Sequence, residues 1–174
     1  MTLPPFFLTY DAHSKQTLGA FEATLQGATT KVLSDVTIGD LCSMSEYPHG
    51  LYFFFDGNPR KLQYVGKCTA RSFVERIPAH FDQREDAWFN TLPTKLAQRG
   101  NTYSEALAKA LQFHVLLLGI RDADVAKKLE RVFRHFYKPI LNTPRNPQPF
   151  DANSSLAQLA ETLPFVPTDA FGSS

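Results

Sequence analysis

The apolar and polar positions divide the chain unevenly. Residues 1–47 carry little periodicity: Ala20 to Leu25 alternates in the manner of a strand, and Thr37 to Cys42 predicts a short helix. The centre is clearer. Leu51 to Phe55 is an unbroken aromatic-rich run ending in Asp56-Gly57-Asn58-Pro59, and Lys61 to Gly66 follows as a second short run. Two such runs separated by turn residues predict a β-hairpin. After Gly66 the spacing turns helical. Phe73, Val74 and Ile77 share a face until Pro78, which lacks an N–H and ends or kinks the element. Residues 84–98 predict another helix, interrupted at Pro93, and Thr102-x-x-Glu105 is a capping box before roughly two helical turns.

Leu111 to Ile120 is almost continuously apolar, which suits a strand buried on both faces. Asp122 or Asp124 can cap the next helix. There Val125, Leu129, Val132, Phe133 and Phe136 form one stripe, and Lys138-Pro139 stops it. A proline-rich loop follows, then a last short helix over Leu156 to Leu163. The order hairpin, helices, buried strand, helix predicts an α/β fold: a small central sheet, the hairpin plus a buried strand, flanked by helices. Residues 1–46 read as an N-terminal extension packing on a core over 47–145. That core carries an insertion at about 81–111, and residues 146–174 form a proline-rich loop with a short helix.

Charge changes this picture more than composition does. Residues 1–49 hold two bases and five acids, residues 50–145 sixteen bases and nine acids, and residues 146–174 three acids alone, so a net +1 conceals a basic centre. Such a centre suits a phosphate-facing surface, although on charge alone an ordinary solvated surface fits as well. Cys42 and Cys68 are too few for a disulfide framework and show no C-x-x-C zinc spacing. With no apolar run long enough for a bilayer, a soluble cytoplasmic protein is the expectation.

Five short motifs lie in order along the core. They are Gly50-Leu51-Tyr52, Tyr64-Val65-Gly66, the Arg76-to-His80 segment, Glu130 on the later helix, and Pro139-Ile140-Leu141-Asn142. This order resembles the GIY-YIG nuclease superfamily, found among homing endonucleases, restriction enzymes and excision-repair nucleases. The match spans roughly residues 47–143. Leu51 and Val65 replace the name-giving isoleucines, and Cys68 stands where Ser or Thr is usual. The Arg-x-x-x-His lies about two residues further on than in the simplest members, which leaves both Arg71 and Arg76 as the functional arginine.

The resemblance implies a metal-dependent endonuclease that hydrolyses phosphodiester bonds in DNA, with RNA left open as a substrate. One of Tyr52 and Tyr64 would help activate the attacking water. A phenol does this when cations lower its pKa; otherwise the pair are two packed hairpin aromatics. Arg76 offers a donor fork for phosphate, and His80 can carry a proton near neutral pH. Glu130 would be the metal ligand. A lone carboxylate completed by water and phosphate oxygens suits Mg²⁺, or Mn²⁺, better than Zn²⁺. Glu130 lies about 115° from the centre of the apolar stripe, and its bland alternative is an ion pair with Arg134 four residues on. Lys67 would hold a phosphate or depress a tyrosine pKa, Arg71 would assist in substrate binding, and Asn142 would orient the site or serve as a plain turn residue. Trp88 is a candidate for base stacking or for the core. His114 and His135 read as structural. Glu130→Ala is expected to abolish cleavage while leaving folding nearly intact. One active site cuts one strand at a time, so double-strand cutting would call for a homodimer or two events. The competing readings are a catalytically silent nucleic-acid-binding module of the same fold, and a protein-interaction domain.

Overall fold

The computed structural model describes residues 3–42, 46–57, 60–84, 92–142 and 150–164. Strand β1 (Phe7–Thr9) leads through α1 (Tyr10–His13) to α2 (Leu18–Gly27). The expected strand at Ala20 to Leu25 is thus a helix. Thr17 caps it by accepting from the Ala20 N–H, and its buried residues are Leu18, Phe21 and Leu25, a helical spacing that the local alternation obscured. Strand β2 (Lys31–Val32), a 3-10 turn (Leu33–Asp35) and α3 (Ile38–Cys42) complete the N-terminal part.

The hairpin follows as β3 (His49–Asp56) and β4 (Lys61–Cys68), then α4 (Phe73–Ala79). Pro78 falls in the last turn of α4, where its missing N–H helps end the helix, and His80 forms the C-cap in αR geometry. Helix α5 (Leu92–Ala97) carries Pro93 in its first turn, where a missing N–H goes unnoticed; residues 85–91, with Trp88, lie outside the described residues. Helix α6 (Tyr103–Leu111) starts at the Thr102/Glu105 capping box. It takes in Leu111, so β5 begins only at His114 and runs to Ile120. Helix α7 (Ala123–Phe136) is capped by Asp122, and α8 (Leu156–Thr162) by Ser155.

The sheet is mixed. β5 lies between β1, which it pairs in parallel, and β3, which it pairs antiparallel; β4 is antiparallel to β3 at the edge, and β2 adds an antiparallel pair to β5. The expected buried strand and the first strand of the hairpin therefore form its centre. Alternate residues feed two cores. Leu51, Phe53, Phe55, Val65, Leu116 and Leu118 pack under α2, α7 and α8. Tyr52, Phe54, Tyr64, Cys68, Val115 and Leu117 pack under α4, α5 and α6. Because both faces are covered, Phe53, Phe54 and Phe55 are all buried in succession. At about 1.5–3 kcal/mol for each large apolar side chain, this strand alone accounts for a large share of the driving force. Among the described residues no helix is long and apolar enough to cross a membrane.

Gly66 sits opposite Tyr52 in the ladder, and the Tyr52 ring lies across it. A Cβ at residue 66 would stand 2.1 Å from the ring Cζ of Tyr52 and 2.3 Å from its hydroxyl. Gly66→Ala should therefore displace the ring and cost about 2–4 kcal/mol, somewhat above ordinary overpacking. Urea unfolding measures this, and a loss under about 0.5 kcal/mol, within the usual range of surface changes, would contradict the close approach.

Candidate active site

Tyr52 and Tyr64 leave the same face of the hairpin, and α4 brings His80 down onto them. Helix α4 is aimed by a reciprocal capping box, in which the Glu75 carboxylate accepts from the Ser72 N–H at 2.8 Å. The three rings form a closed triangle, with centroids 6.1 Å apart for Tyr52–Tyr64, 5.5 Å for Tyr52–His80 and 5.2 Å for Tyr64–His80. The Tyr52 hydroxyl lies 2.7 Å from His80 Nε2. Tyr52 and His80 have no exposed surface, whereas Tyr64 retains 9%.

Burial decides the protonation states. It pushes the Tyr52 phenol well above its ordinary range, reinforced by Tyr64 and Cys68 and opposed by Arg76. Tyr64 is raised by burial and then by Glu130, against Arg76, Arg134 and a hydrogen bond from Tyr52. His80 is pushed down to about 3 by burial and then by the charges of Arg76 and Lys95. The expectations of a cation-acidified tyrosine and of a histidine protonated near neutrality are both reversed for the same reason: desolvation of the charged form outweighs its neighbours. The site at neutral pH holds two phenols and a neutral imidazole.

Arg76 is the arginine that faces this cluster. Its charge acts on Tyr52, Tyr64, Cys68 and His80. Arg71 is exposed before α4, and its charge acts on Glu75.

Glu130 approaches from α7, on the other side of the β4 edge, and is 4% exposed. Oε1 accepts from Arg134 Nη1 at 2.9 Å, and Oε2 lies 3.5 Å from Lys67 Nζ. The i, i+4 ion pair exists, but nearly buried. Removing one partner of such a pair strands a charge and costs about 3–5 kcal/mol. The expectation that Glu130→Ala leaves folding nearly intact is corrected accordingly. Lys67 meets Glu130 rather than a phenol.

Asn142 bonds to the free edge of β4 with both ends of its amide: the Val65 N–H donates to Oδ1 at 2.8 Å, and Nδ2 donates to the Val65 carbonyl at 2.9 Å. It orients the site through the backbone of the Tyr-Val-Gly strand. Two residues absent from the sequence-based set complete the cluster. Lys95 on α5 donates to the Leu141 carbonyl at 2.9 Å and lies 5.8 Å over the Tyr64 ring. Its pKa is lowered, first by burial and then by Arg134 and Arg99. Arg99 bonds to the Ile140 carbonyl at 2.6 Å. Arg134 was legible as the i+4 partner of Glu130; Lys95 carried no local signal, because only tertiary docking of α5 delivers it. Away from the site, His114 pairs with Thr30 at 3.1 Å and His135 packs on Phe150, both structural.

No family model matches the chain, and no curated protein or solved structure matches it.

Among the described residues no trio of His, Cys, Asp or Glu is grouped for a metal. The donor chemistry here is one carboxylate beside cations that attract phosphate. That suits an oxygen-seeking ion completed by substrate oxygens and water. Glu130 would hold it.

The buried imidazole makes stability depend on pH. Unfolded, His80 takes a proton near its ordinary 6.5; folded, it does so only near 3. The unfolded state binds more protons in this window, so stability present above 6.5 falls as the pH drops through it, by up to about 1.4 kcal/mol per unit. Urea unfolding at pH 7 and pH 5.5 should show that slope, and His80→Gln should flatten it; equal slopes in both proteins would refute the assignment.

Proposed function

We propose that the protein is a metal-dependent endonuclease that hydrolyses phosphodiester bonds in nucleic acid, with DNA as the expected substrate. The observation that carries this reading is the convergence at one sheet edge of Tyr52, Tyr64, Arg76, His80 and Glu130, drawn from four elements. Phosphodiester hydrolysis needs an oriented water, counter-charge for the phosphate oxygens and a path for a proton. Tyr64, the phenol with residual exposure, accepts a hydrogen bond from the attacking water. Tyr52 and the neutral His80 continue that chain inward and hold the phenolic oxygens in one orientation. Arg76, Lys95 and Lys67 supply counter-charge to the phosphate. A divalent ion on Glu130, Mg²⁺ or Mn²⁺, would supply Lewis acidity toward the phosphate and offset the carboxylate that raises the Tyr64 pKa.

A second reading is a silent nucleic-acid-binding module of the same fold. It draws on the complete burial of Tyr52 and on the pairing of both Glu130 oxygens.

Cleavage of supercoiled plasmid and branched DNA with Mg²⁺ or Mn²⁺, beside EDTA controls, separates the two. Glu130→Gln keeps an acceptor for Arg134 and is expected to lose at least a hundredfold in rate while staying folded by circular dichroism; Glu130→Ala should lose rate and stability together. Arg76→Ala should lose activity and Arg71→Ala should keep it. Wild-type binding without cutting in any metal would favour the silent module, and cutting by Glu130→Gln at the wild-type rate would remove Glu130 from the mechanism.

A further inference from the structure

A cavity of about 250 Å³ opens between α2, the turn end of the β3–β4 hairpin and the residues after α7. Leu25, Phe55 and Leu62 give it an apolar lining, and Arg60, Lys61 and Lys138 outnumber its one acid, Glu22. Arg60 is a fixed wall: its Nη1 donates to the Leu25 and Ala28 carbonyls at 2.9 and 2.8 Å, and its guanidinium lies 5.4 Å over the Phe55 ring. The exposed cations are therefore Lys61 and Lys138. The volume lies just under the roughly 300–1,000 Å³ of pockets that bury drug-sized ligands, so the occupant is small.

The cavity opens on the α2, α7 and α8 face of the sheet, opposite the Tyr52 and Tyr64 face, and two elements lead from it to the β4 edge, around which a nucleic-acid strand passes from one face to the other. Lys61 precedes Tyr64 by three residues on β4, about 10 Å at 3.3 Å per residue. Tyr137 follows Glu130 by seven residues along α7, again about 10 Å at 1.5 Å per residue. Arg134 is paired with Glu130, and Lys138 follows the end of α7 at a φ of 48° on the cavity wall.

We propose that this cavity receives an unpaired nucleotide flanking the scissile phosphate, its base on the Leu25 and Leu62 lining and its phosphate on Lys61 and Lys138. Gln26 offers both a donor and an acceptor to the base edge. A paired base, stacked in a duplex, cannot enter such a cavity; an unpaired one can. The substrate is then nucleic acid that presents an unpaired strand at the β4 edge. This rests on the nuclease reading, and a free mononucleotide shares the same chemistry.

The test uses the full chain carrying Glu130→Gln, so that nothing is cut, with and without Lys61→Gln and Lys138→Gln together. Binding of a blunt duplex and of the same duplex with a single-stranded overhang is measured across salt, and amide NMR follows a titration with dAMP. The lysine variant should bind the overhang substrate about tenfold more weakly and shift its log–log salt slope by about 1.4, two single-strand contacts' worth. The blunt duplex should be unaffected. Equal effects on both substrates, or none on either, overturn the proposal. Movement of the Gln26 and Lys61 amides with dAMP, without a lysine effect on the overhang, overturns the strand in favour of a free nucleotide. Failure of the parent protein to bind either DNA overturns the nucleic-acid reading itself, and this one with it.

Discussion

The hydroxyl of Tyr52 has no access to water, and the site is organised around satisfying it. A phenol buried without a partner costs several kcal/mol by transfer scales. Here His80 Nε2 answers it at 2.7 Å. That one contact requires Gly66, because any side chain there would occupy the ring's place. It requires α4 to end where it does, so that the C-cap residue drops into the core. The imidazole that makes it is held neutral by the same burial. The Gly-Leu-Tyr and Tyr-Val-Gly segments are thus two halves of one packing solution as much as they are chemistry.

Around this apolar triangle the charges are unbalanced. Lys67, Arg76, Lys95 and Arg134 gather near the Glu130 carboxylate. Like charges so placed raise one another's energy, and the lowered pKa of Lys95 records part of that cost. An arrangement of this kind is relieved by an incoming anion. Anchoring Lys95 and Arg99 on the Leu141 and Ile140 carbonyls holds two of the basic side chains in position before any anion arrives.

The hairpin, the buried strand, the Thr102/Glu105 capping box and the stripe of α7 were legible, because periodicity and turn chemistry act over a few residues. The order of the five motifs named Tyr52, Tyr64, Arg76, His80 and Glu130, which the fold gathers at one edge. What local patterns could not give was anything set by long-range docking. Strands β1 and β2 are three and two residues long, too short for a period. Lys95 enters the site only because α5 packs there. Arg76 and Arg71 were separable only once α4 had a direction. The protonation states were misjudged because the sequence names neighbours but not depth, and at Tyr52 and His80 depth prevails.

The two hydrogen bonds between the Asn142 side chain and the Val65 backbone join residues 77 apart in the chain. On the ribosome, β4 is complete long before its outer edge can be covered, and β3 likewise waits for β5, whose first residue comes more than fifty positions after β3 ends. For that interval the nascent hairpin carries two unpaired edges and three consecutive phenylalanines. The C-terminal third of the core is thus the part that closes the sheet against other chains, and a chain arrested before Asn142 would leave the Val65 edge open to a neighbour.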